Sequence, residues 1–124
     1  MNGLLLDEHL SPKIATGLQR MGIAITVHSM NEWNGGRFLG RTDHECLAEA
    51  ARQGLTLVTY DVRSIPRILK GWRDQGLSHA GVIYVDQRTI RSGDIGALVQ
   101  GLARLIREFS VIDWTNRQEF LRHA

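Results

Sequence analysis

Residues 42–61 read TDHECLAEAARQGLTLVTYD, and this stretch contains both kinds of element from which the fold is built. Thr42 and Glu45 stand three residues apart, as in a capping box, which predicts that a helix begins here. Gly54 is typical of the residue that follows a helix. The next six residues, LTLVTY, form an apolar run rich in strand-forming side chains, which stops at Asp61. The stretch therefore predicts a helix followed directly by a buried strand.

The same alternation continues on both sides of this stretch. On the N-terminal side, residues 3–7 (GLLLD) predict a first strand, Ser11-Pro12 opens a helix, and the alternating apolar residues of 23–27 predict a second strand. On the C-terminal side we expect a helix over 64–76, a fourth strand over 80–85, an amphipathic helix over about 93–108, a short fifth strand at Val111-Ile112 and a terminal helix opened by the Thr115–Gln118 capping box.

Strands that alternate with helices predict an α/β protein, a three-layer α/β/α sandwich with a mainly parallel sheet of four to five strands. The connections between parallel strands are expected to be right-handed. A chain of 124 residues suits one domain. We expect its core to span about 3–110 and a C-terminal extension to occupy 111–124.

The composition restricts the class of protein further. Fifteen Lys and Arg against thirteen Asp and Glu leave a net charge of +2, which permits a nucleic-acid partner without requiring one. Cys46 is the single cysteine, so an internal disulfide and a multi-cysteine metal site are excluded, and a cytoplasmic location is expected. No basic leader and no run of ~20 apolar residues is present, so neither a targeting signal nor a membrane span is expected.

Acidic side chains follow three of the predicted strands, as Asp7, Asp61 and Asp86. The carboxyl ends of parallel strands meet at one edge of a sheet, and Asp43, at the start of a helix, belongs to that edge too. Glu8 stands beside Asp7. Crowded carboxylates repel one another and are best tolerated around a hard divalent cation such as Mg²⁺. The sequence therefore predicts a metal site at this edge, of a kind that can activate water against a phosphodiester.

Each of these acids also has an ordinary structural interpretation. Asp43 is favoured at a helix N-terminus by the helix dipole, and Glu45 is the expected capping-box partner. Asp61 and Asp86 are common loop starters after strands. Asp7 is harder to explain in this way, because it follows three leucines that are expected to be buried. Both interpretations stay open at this point.

Three segments together resemble a known family: residues 4–23 (LLLDEHLSPKIATGLQRMGI), 42–61 and 81–86 (GVIYVD). In order and spacing they are similar to the small bacterial PIN-like domains related to toxins of VapC type. The resemblance covers about residues 3–107. It implies a PIN-like fold and a ribonuclease that depends on Mg²⁺ or Mn²⁺. It also implies site roles for the acids Asp7, Glu8, Asp43 and Asp61, and for the supporting hydroxyl of Thr59.

The chain departs from the family pattern in two places. Many relatives have Thr-x-Asp-x-Asp-Phe, whereas residues 59–64 here are TYDVRS, so Arg63 replaces a second acid. Larger PIN domains carry a further acid on a helix, and only Glu32, in a predicted loop, is available for it here. Asp86 could supply the missing charge.

Basic residues lie next to the predicted acidic edge. Arg63, Arg67 and Lys70 share one face of a predicted helix, and they predict contacts to RNA phosphates, although a solvated charged face has the same pattern. Arg37 and Arg41 lie in a glycine-rich loop whose aromatic side chains could stack on bases or pin the loop to the core. This loop, residues 31–41, is also a candidate lid.

Three functions fit these residues. The first is a metal-dependent ribonuclease of toxin type, with a protein antitoxin as a further partner. The second is a catalytically silent PIN-like module that binds a protein or nucleic acid. The third is a phosphoacceptor receiver domain, which needs a lysine at the end of its fifth strand, whereas the only lysines here are Lys13 and Lys70. Phe120 and Leu121 are candidates for contacts in a homodimer.

Overall fold

The computed structural model describes residues 1–124 and contains a five-stranded sheet with four helices. A short 3₁₀ turn, Trp33–Gly36, lies between the second strand and the second helix. The strands are β1 (Gly3–Leu6), β2 (Thr26–Ser29), β3 (Thr56–Thr59), β4 (Val82–Tyr84) and β5 (Gln118–Phe120), and the helices are α1 (Lys13–Arg20), α2 (Asp43–Gln53), α3 (Ser64–Asp74) and α4 (Ile95–Phe109).

The two faces of the sheet are covered by different helices. Leu4 and Leu6 of β1 pack into a core with α1 and α4, while Leu5, between them, packs into a second core with α2 and α3. This alternation follows from the pleat, which points successive side chains to opposite faces. The apolar runs buried on both sides are typical of parallel sheets. The three-layer α/β/α architecture is therefore confirmed.

All neighbouring strands are parallel, in the order β2-β1-β3-β4-β5. The chain reverses its direction across the sheet between β1 and β3, which makes their carboxyl ends the topological switch point. Open α/β sheets bind ligands in the crevice at this point.

The crossovers do not all have the same hand. The step from β1 to β2 runs in one direction through α1, and the steps from β2 to β4 run in the other direction through α2 and α3 on the opposite face. These three connections share a hand. The step from β4 to β5 keeps the second direction but passes through α4 on the α1 face, so its hand is the opposite one. The expectation that every connection is right-handed therefore does not hold for all four.

The C-terminal segment is a strand, and the predicted terminal helix and the strand at Val111-Ile112 are both wrong. The carboxylate of Asp113 accepts the Thr115 N–H in a turn, and the chain then runs along β4, where Leu121 donates its N–H to the Tyr84 carbonyl at 2.8 Å. Leu121 is buried, whereas Phe120 packs on the ring of Tyr84. The free edge of β4 decides the structure of this segment, because pairing there satisfies backbone groups that a short terminal helix would leave open.

The bounds of other helices and strands differ by a few residues from those predicted. β2 begins at Thr26, later along the chain than the predicted 23–27 strand. α2 has the predicted cap: Thr42 accepts the Glu45 N–H, and Gly54 adopts the left-handed conformation that ends the helix. No helix has both the length and the hydropathy that crossing a membrane requires.

Candidate functional site

The switch point brings the predicted acids to one edge of the sheet. Asp7 follows the last residue of β1 directly, and Asp61 lies two residues beyond the end of β3. Asp43 is the first residue of α2. β1 and β3 are neighbours in the sheet, so the first two acids are placed side by side by strand pairing alone.

The hydroxyl of Thr59 connects Asp7 to Asp61. It donates to Asp7 Oδ2 at 2.7 Å and accepts the Asp61 N–H at 3.0 Å. Thr59 is fully buried as the last residue of β3, so its position is set by the sheet. Asp7 Oδ1 accepts the Glu8 N–H at 2.7 Å. These contacts hold the Asp7 carboxylate in one orientation, which is what a positioning hydroxyl does in a metal or acid–base site.

Asp61 also supports the local fold. Its Oδ1 accepts the N–H groups of Arg63 and Ser64, at 3.1 and 2.7 Å, where α3 begins. The N–H groups of the first helical turn have no partner within the helix, and a carboxylate there is favoured by the helix dipole. The carboxylate of Asp61 thus caps the N-terminus of α3, which gives Asp61 a structural role.

The pKa of Asp43 is affected by the other acids of this edge. Partial burial raises the pKa of the Asp43 carboxyl above its usual value, and the negative charges of Asp61, Asp7 and Glu8 raise it further. Nearby carboxylates disfavour ionisation in this way only when they lie close in space. The four acids therefore form one electrostatic cluster, although Asp43 and Glu8 are exposed.

Asp86 is not among the acids whose charges raise the pKa of Asp43. Its carboxylate is held by Arg88, whose Nε and Nη2 donate to it at 2.8–3.2 Å, and this ion pair keeps the pKa of Asp86 below its usual value. The structure thus gives Asp86 a different partner from the one that a shared metal site requires. In the sequence, the Asp-x-Arg spacing of Asp86 and Arg88 is the pattern from which this ion pair could be predicted.

A narrow crevice of about 20 Å³ lies between the acids and the glycine-rich loop. Asp7, Glu8 and Asp43 line one side, and Phe38 and Arg41 of the loop line another. This volume holds about one water molecule. A ligand larger than a water molecule therefore reaches the acids only from the open side of the edge or after the loop moves.

Side-chain contacts hold the glycine-rich loop, residues 31–41, in this conformation. Trp33 is buried, packs on Phe38 with ring centroids 4.8 Å apart, and donates its Nε1–H to Gln53. Arg41 forms an ion pair with Glu45 at 3.2 Å. Trp33 is therefore a core residue and not a platform for bases. The lid hypothesis for this loop stays a prediction.

Cys46 is a further neighbour of the acids at this edge. It lies three residues after Asp43 on α2, lines the crevice, and its thiol contacts the Phe38 carbonyl at 3.6 Å. Burial, together with the charges of Asp43 and Asp7, raises the pKa of the Cys46 thiol to about 11. The thiol is therefore protonated at neutral pH, as its contact with the Phe38 carbonyl requires.

The basic face of α3 is free for contacts. The side chains of Arg63, Arg67 and Lys70 are exposed and form no hydrogen bond or ion pair within the chain. Arg37 is exposed in the loop as well, whereas Arg41 is engaged with Glu45. Four of the five predicted phosphate-binding side chains are thus unpaired.

The acids alone do not form a complete metal-binding site. No three His, Cys, Asp or Glu side chains in the structure converge closely enough to hold an ion by themselves. The all-oxygen donor set nevertheless fits Mg²⁺ or Mn²⁺, because such ions usually take one or two protein carboxylates and complete their shell with water and substrate phosphate. The raised pKa of Asp43 shows that negative charge is already concentrated here.

The fold and this edge define a doubly wound α/β protein with an acidic cluster at its switch point. The family models, the curated proteins and the solved structures contain no significant match to the chain. What the protein does is therefore inferred from the residues at this edge and from their neighbours.

Proposed function

We propose that the protein is a metal-dependent ribonuclease that hydrolyses RNA phosphodiester bonds with Mg²⁺ or Mn²⁺. The observation that carries the proposal is the crevice at the switch point, which Asp7, Glu8 and Asp43 line and where the Thr59 hydroxyl joins Asp7 to Asp61. Such clusters of acids in a crevice are typical of functional sites.

The roles of the residues follow from their positions. One or two carboxylates of the set Asp7, Asp43 and Asp61 would hold the cation, with Glu8 as a further candidate donor and with water and substrate phosphate completing the shell. Thr59 is a positioning residue, because its hydroxyl fixes Asp7 Oδ2. When bound, the cation lowers the pKa of water and offsets the charge that develops on the phosphate.

Hydrolysis adds one water across a P–O bond and leaves a phosphate monoester and an alcohol. The substrate is an anion, so it must be attracted to an edge that is itself negative. The exposed cations of α3, Arg63, Arg67 and Lys70, begin beside Asp61 and supply that attraction. Arg63 stands where many PIN-like relatives have a second acid, and here it would contact phosphate rather than metal.

The similarity of residues 4–23, 42–61 and 81–86 to small bacterial PIN-like toxins supports the same proposal. As a toxin of this kind the protein would act on RNA in the cytoplasm and be restrained by an antitoxin protein. The single thiol, Cys46, is compatible with that reducing compartment.

The test is cleavage of labelled RNA in the presence of Mg²⁺ or Mn²⁺ and in EDTA. We expect wild-type cleavage to require the metal and Asp7→Asn to reduce its rate by at least about 100-fold. Asp74→Asn is the matched control, because Asp74 is an exposed acid at the end of α3 without a hydrogen bond. Equal cleavage by wild type and Asp7→Asn would overturn the proposal. RNA binding without metal-dependent cleavage would identify the catalytically silent module instead.

The strand order favours a second candidate, the receiver domain. The order β2-β1-β3-β4-β5 is that of flavodoxin-like proteins, which include phosphoacceptor domains. Asp61 would be the phosphoacceptor, with Asp7 and Glu8 beside it. Lys13 begins α1 and Lys70 lies within α3, so neither follows β5. A phosphate adduct on Asp61 after incubation with acetyl phosphate, detected by mass spectrometry, would favour this candidate over the nuclease.

A further inference from the structure

The hydroxyl of Ser29, at the end of β2, has no partner in the fold. Ser29 is 5% exposed, and its Oγ is the one buried side-chain oxygen or nitrogen that forms no hydrogen bond. Folded proteins contain few such groups, because a buried polar group without a partner costs stability. Ser29 therefore has a hydrogen bond to offer that the fold itself does not use.

A cavity of about 320 Å³ lies beside this residue. Val27 packs on the face of the sheet that α1 covers, so Ser29, two residues further along β2, points to that face as well. The lining has an apolar part, formed by Pro12, Ala15 and Val27, and a polar part that includes Thr16, Glu32 and Asn34. The volume lies at the small end of the range for ligand sites, which suits one ring system better than a whole nucleotide.

The cavity lies one strand away from the acids of the switch point. β1 and β2 pair with Leu6 opposite Ser29, and Asp7 follows Leu6 directly. Neighbouring strands are about 4.8 Å apart, so the cavity and the acids are neighbours along the carboxyl edge of the sheet. The glycine-rich loop borders both, since Glu32 lines the cavity and Arg41 lines the crevice of the acids. A chain molecule with one group at the acids thus has its next group within reach of the cavity.

The lining selects a flat ligand with N–H donors on its edge. Glu32 is the only acid of the cavity, no Lys or Arg lines it, and the Glu32 carboxylate forms no ion pair. Phosphate is therefore repelled from the cavity, whereas N–H donors are attracted to it. Among the nucleobases, guanine has two adjacent donors, N1–H and N2–H, which match the two oxygens of one carboxylate. Guanine O6, next to N1, is an acceptor that a hydroxyl can meet.

We propose that this cavity binds a guanine base of the RNA, next to the phosphate that lies at the acids. Glu32 accepts guanine N1–H and N2–H, and the Ser29 hydroxyl turns about its Cα–Cβ bond to donate to O6. The apolar part of the lining packs against the face of the base. Single-stranded RNA can be recognised in this way, because its unstacked bases expose their Watson–Crick edges. The proposal rests on the RNA substrate proposed above and adds a preference for guanine at one position of it.

Mononucleotides test the cavity without any cleavage. Binding of GMP, AMP, CMP and UMP to the full chain in EDTA is measured by NMR titration of the backbone amides. We expect GMP to bind at least about 10-fold more tightly than the other three, and Glu32→Gln to remove that preference, because glutamine has one acceptor oxygen instead of two. Asp74→Asn, at an exposed acid of α3, is the matched control and should leave GMP binding unchanged. Equal binding of the four nucleotides, or tighter binding of another base, would overturn the proposal.

Ser29→Ala separates a ligand contact from a structural one. Because the hydroxyl has no partner in the free protein, its removal should not lower the Tm of the free protein. The same substitution should weaken GMP binding by about 3- to 10-fold. A lower Tm together with unchanged GMP binding would show that the hydroxyl serves the fold, and would overturn its contact with the base.

Labelled RNA distinguishes a base within a chain from a free guanine nucleotide. In an Asp7→Asn background, a short oligouridine with one guanine should bind about 10-fold more tightly than one with adenine in its place, and Glu32→Gln should abolish the difference. Selective GMP binding without this discrimination would identify a free nucleotide as the ligand and overturn the proposal. Guanine-dependent RNA binding without metal-dependent cleavage would support it and overturn the nuclease function instead.

Discussion

The Thr59 hydroxyl donates a hydrogen bond of 2.7 Å to the carboxylate of Asp7, which lies 52 residues earlier in the chain. The bond crosses from β3 to β1 at the switch point, and the same oxygen accepts the Asp61 N–H. The buried hydroxyl therefore orients the Asp7 carboxylate and connects it to the backbone of Asp61.

Thr59→Val should therefore separate positioning from folding. Valine keeps the shape of threonine but has no hydroxyl, so Asp7 Oδ2 loses its donor. Because hydrogen bonds to charged groups contribute about 1.5–3 kcal/mol, we expect the free energy of unfolding to fall by about that amount. The rate of metal-dependent RNA cleavage should fall by about 10- to 100-fold. Urea unfolding and a cleavage assay measure the two effects.

Thr56→Val is the matched control for this experiment. Thr56 is also fully buried in β3, but its hydroxyl donates to the Ala80 carbonyl at 2.8 Å, at the other end of the strand. We expect a loss of stability of about 0.5–1.5 kcal/mol with cleavage unchanged. If both substitutions reduce cleavage equally, the hydroxyl of Thr59 has no positioning role.

Metal binding should stabilise the folded protein by neutralising the acidic cluster. A ligand at 100 times its dissociation constant contributes about 2.7 kcal/mol. We expect Mn²⁺ to raise the Tm of the wild type and to raise that of Asp7→Asn much less. Asp86→Asn should keep the full response, because Asp86 is held by Arg88 away from the cluster. Thermal unfolding with and without Mn²⁺ measures this. Equal responses in all three proteins would exclude Asp7 as a ligand.

Asp43 should destabilise the metal-free protein when it is ionised. Burial first, and then Asp61 and Asp7, raise its pKa in the folded state. A carboxyl with a raised folded pKa favours folding at low pH, and that contribution is lost as the pH rises through the raised value. In EDTA at neutral pH, Asp43→Asn should therefore have a higher Tm than the wild type, and the difference should vanish near pH 4, about the ordinary pKa of aspartate. A lower Tm at neutral pH would contradict this.

Much of the fold follows from local patterns, because β1, β3 and β4 are apolar runs that can only be buried. The same patterns place Asp7 and Asp61 after strands, so their meeting at one edge is predictable once the sheet is parallel. The C-terminal segment is different. Its capping-box pattern at 115–118 is a local signal, whereas β5 forms because β4 offers an unpaired edge, which no local pattern records.

The details of the site depend on side-chain contacts that the residue types alone do not determine. Asp86 has the same predicted position as Asp61, but Arg88 is close enough to hold its carboxylate. The burial of Trp33 depends on α2 supplying Gln53 as its hydrogen-bond acceptor. Both outcomes are settled by side-chain contacts, and a strand pattern carries no information about these.

His79 should make stability depend on pH near neutrality. It is buried, its Nδ1 accepts the Gly81 N–H at 3.0 Å, and burial lowers its pKa. The unfolded chain therefore takes up a proton first as the pH falls below about 6.5, and the folded state loses stability in that range. His79→Asn keeps an acceptor without a charge, so its Tm should fall less between about pH 7.5 and 5.5. Parallel Tm curves for the two proteins would contradict this.

The basic face of α3 should contribute to RNA binding through charge alone. In an Asp7→Asn background, which prevents cleavage, Arg67→Gln and Lys70→Gln should each weaken binding of every RNA sequence to a similar degree. Each should also lower the slope of log affinity against log salt by about 0.7, because each phosphate contact with a single strand releases that share of a counterion. Fluorescence anisotropy with a labelled RNA, between about 50 and 200 mM salt, measures the slope. Arg20→Gln, at the exposed end of α1, is the control and should leave the slope unchanged. If all three variants have the wild-type slope, RNA does not bind along α3. Arg67 and Lys70 are then only exposed, solvated side chains on the helix surface.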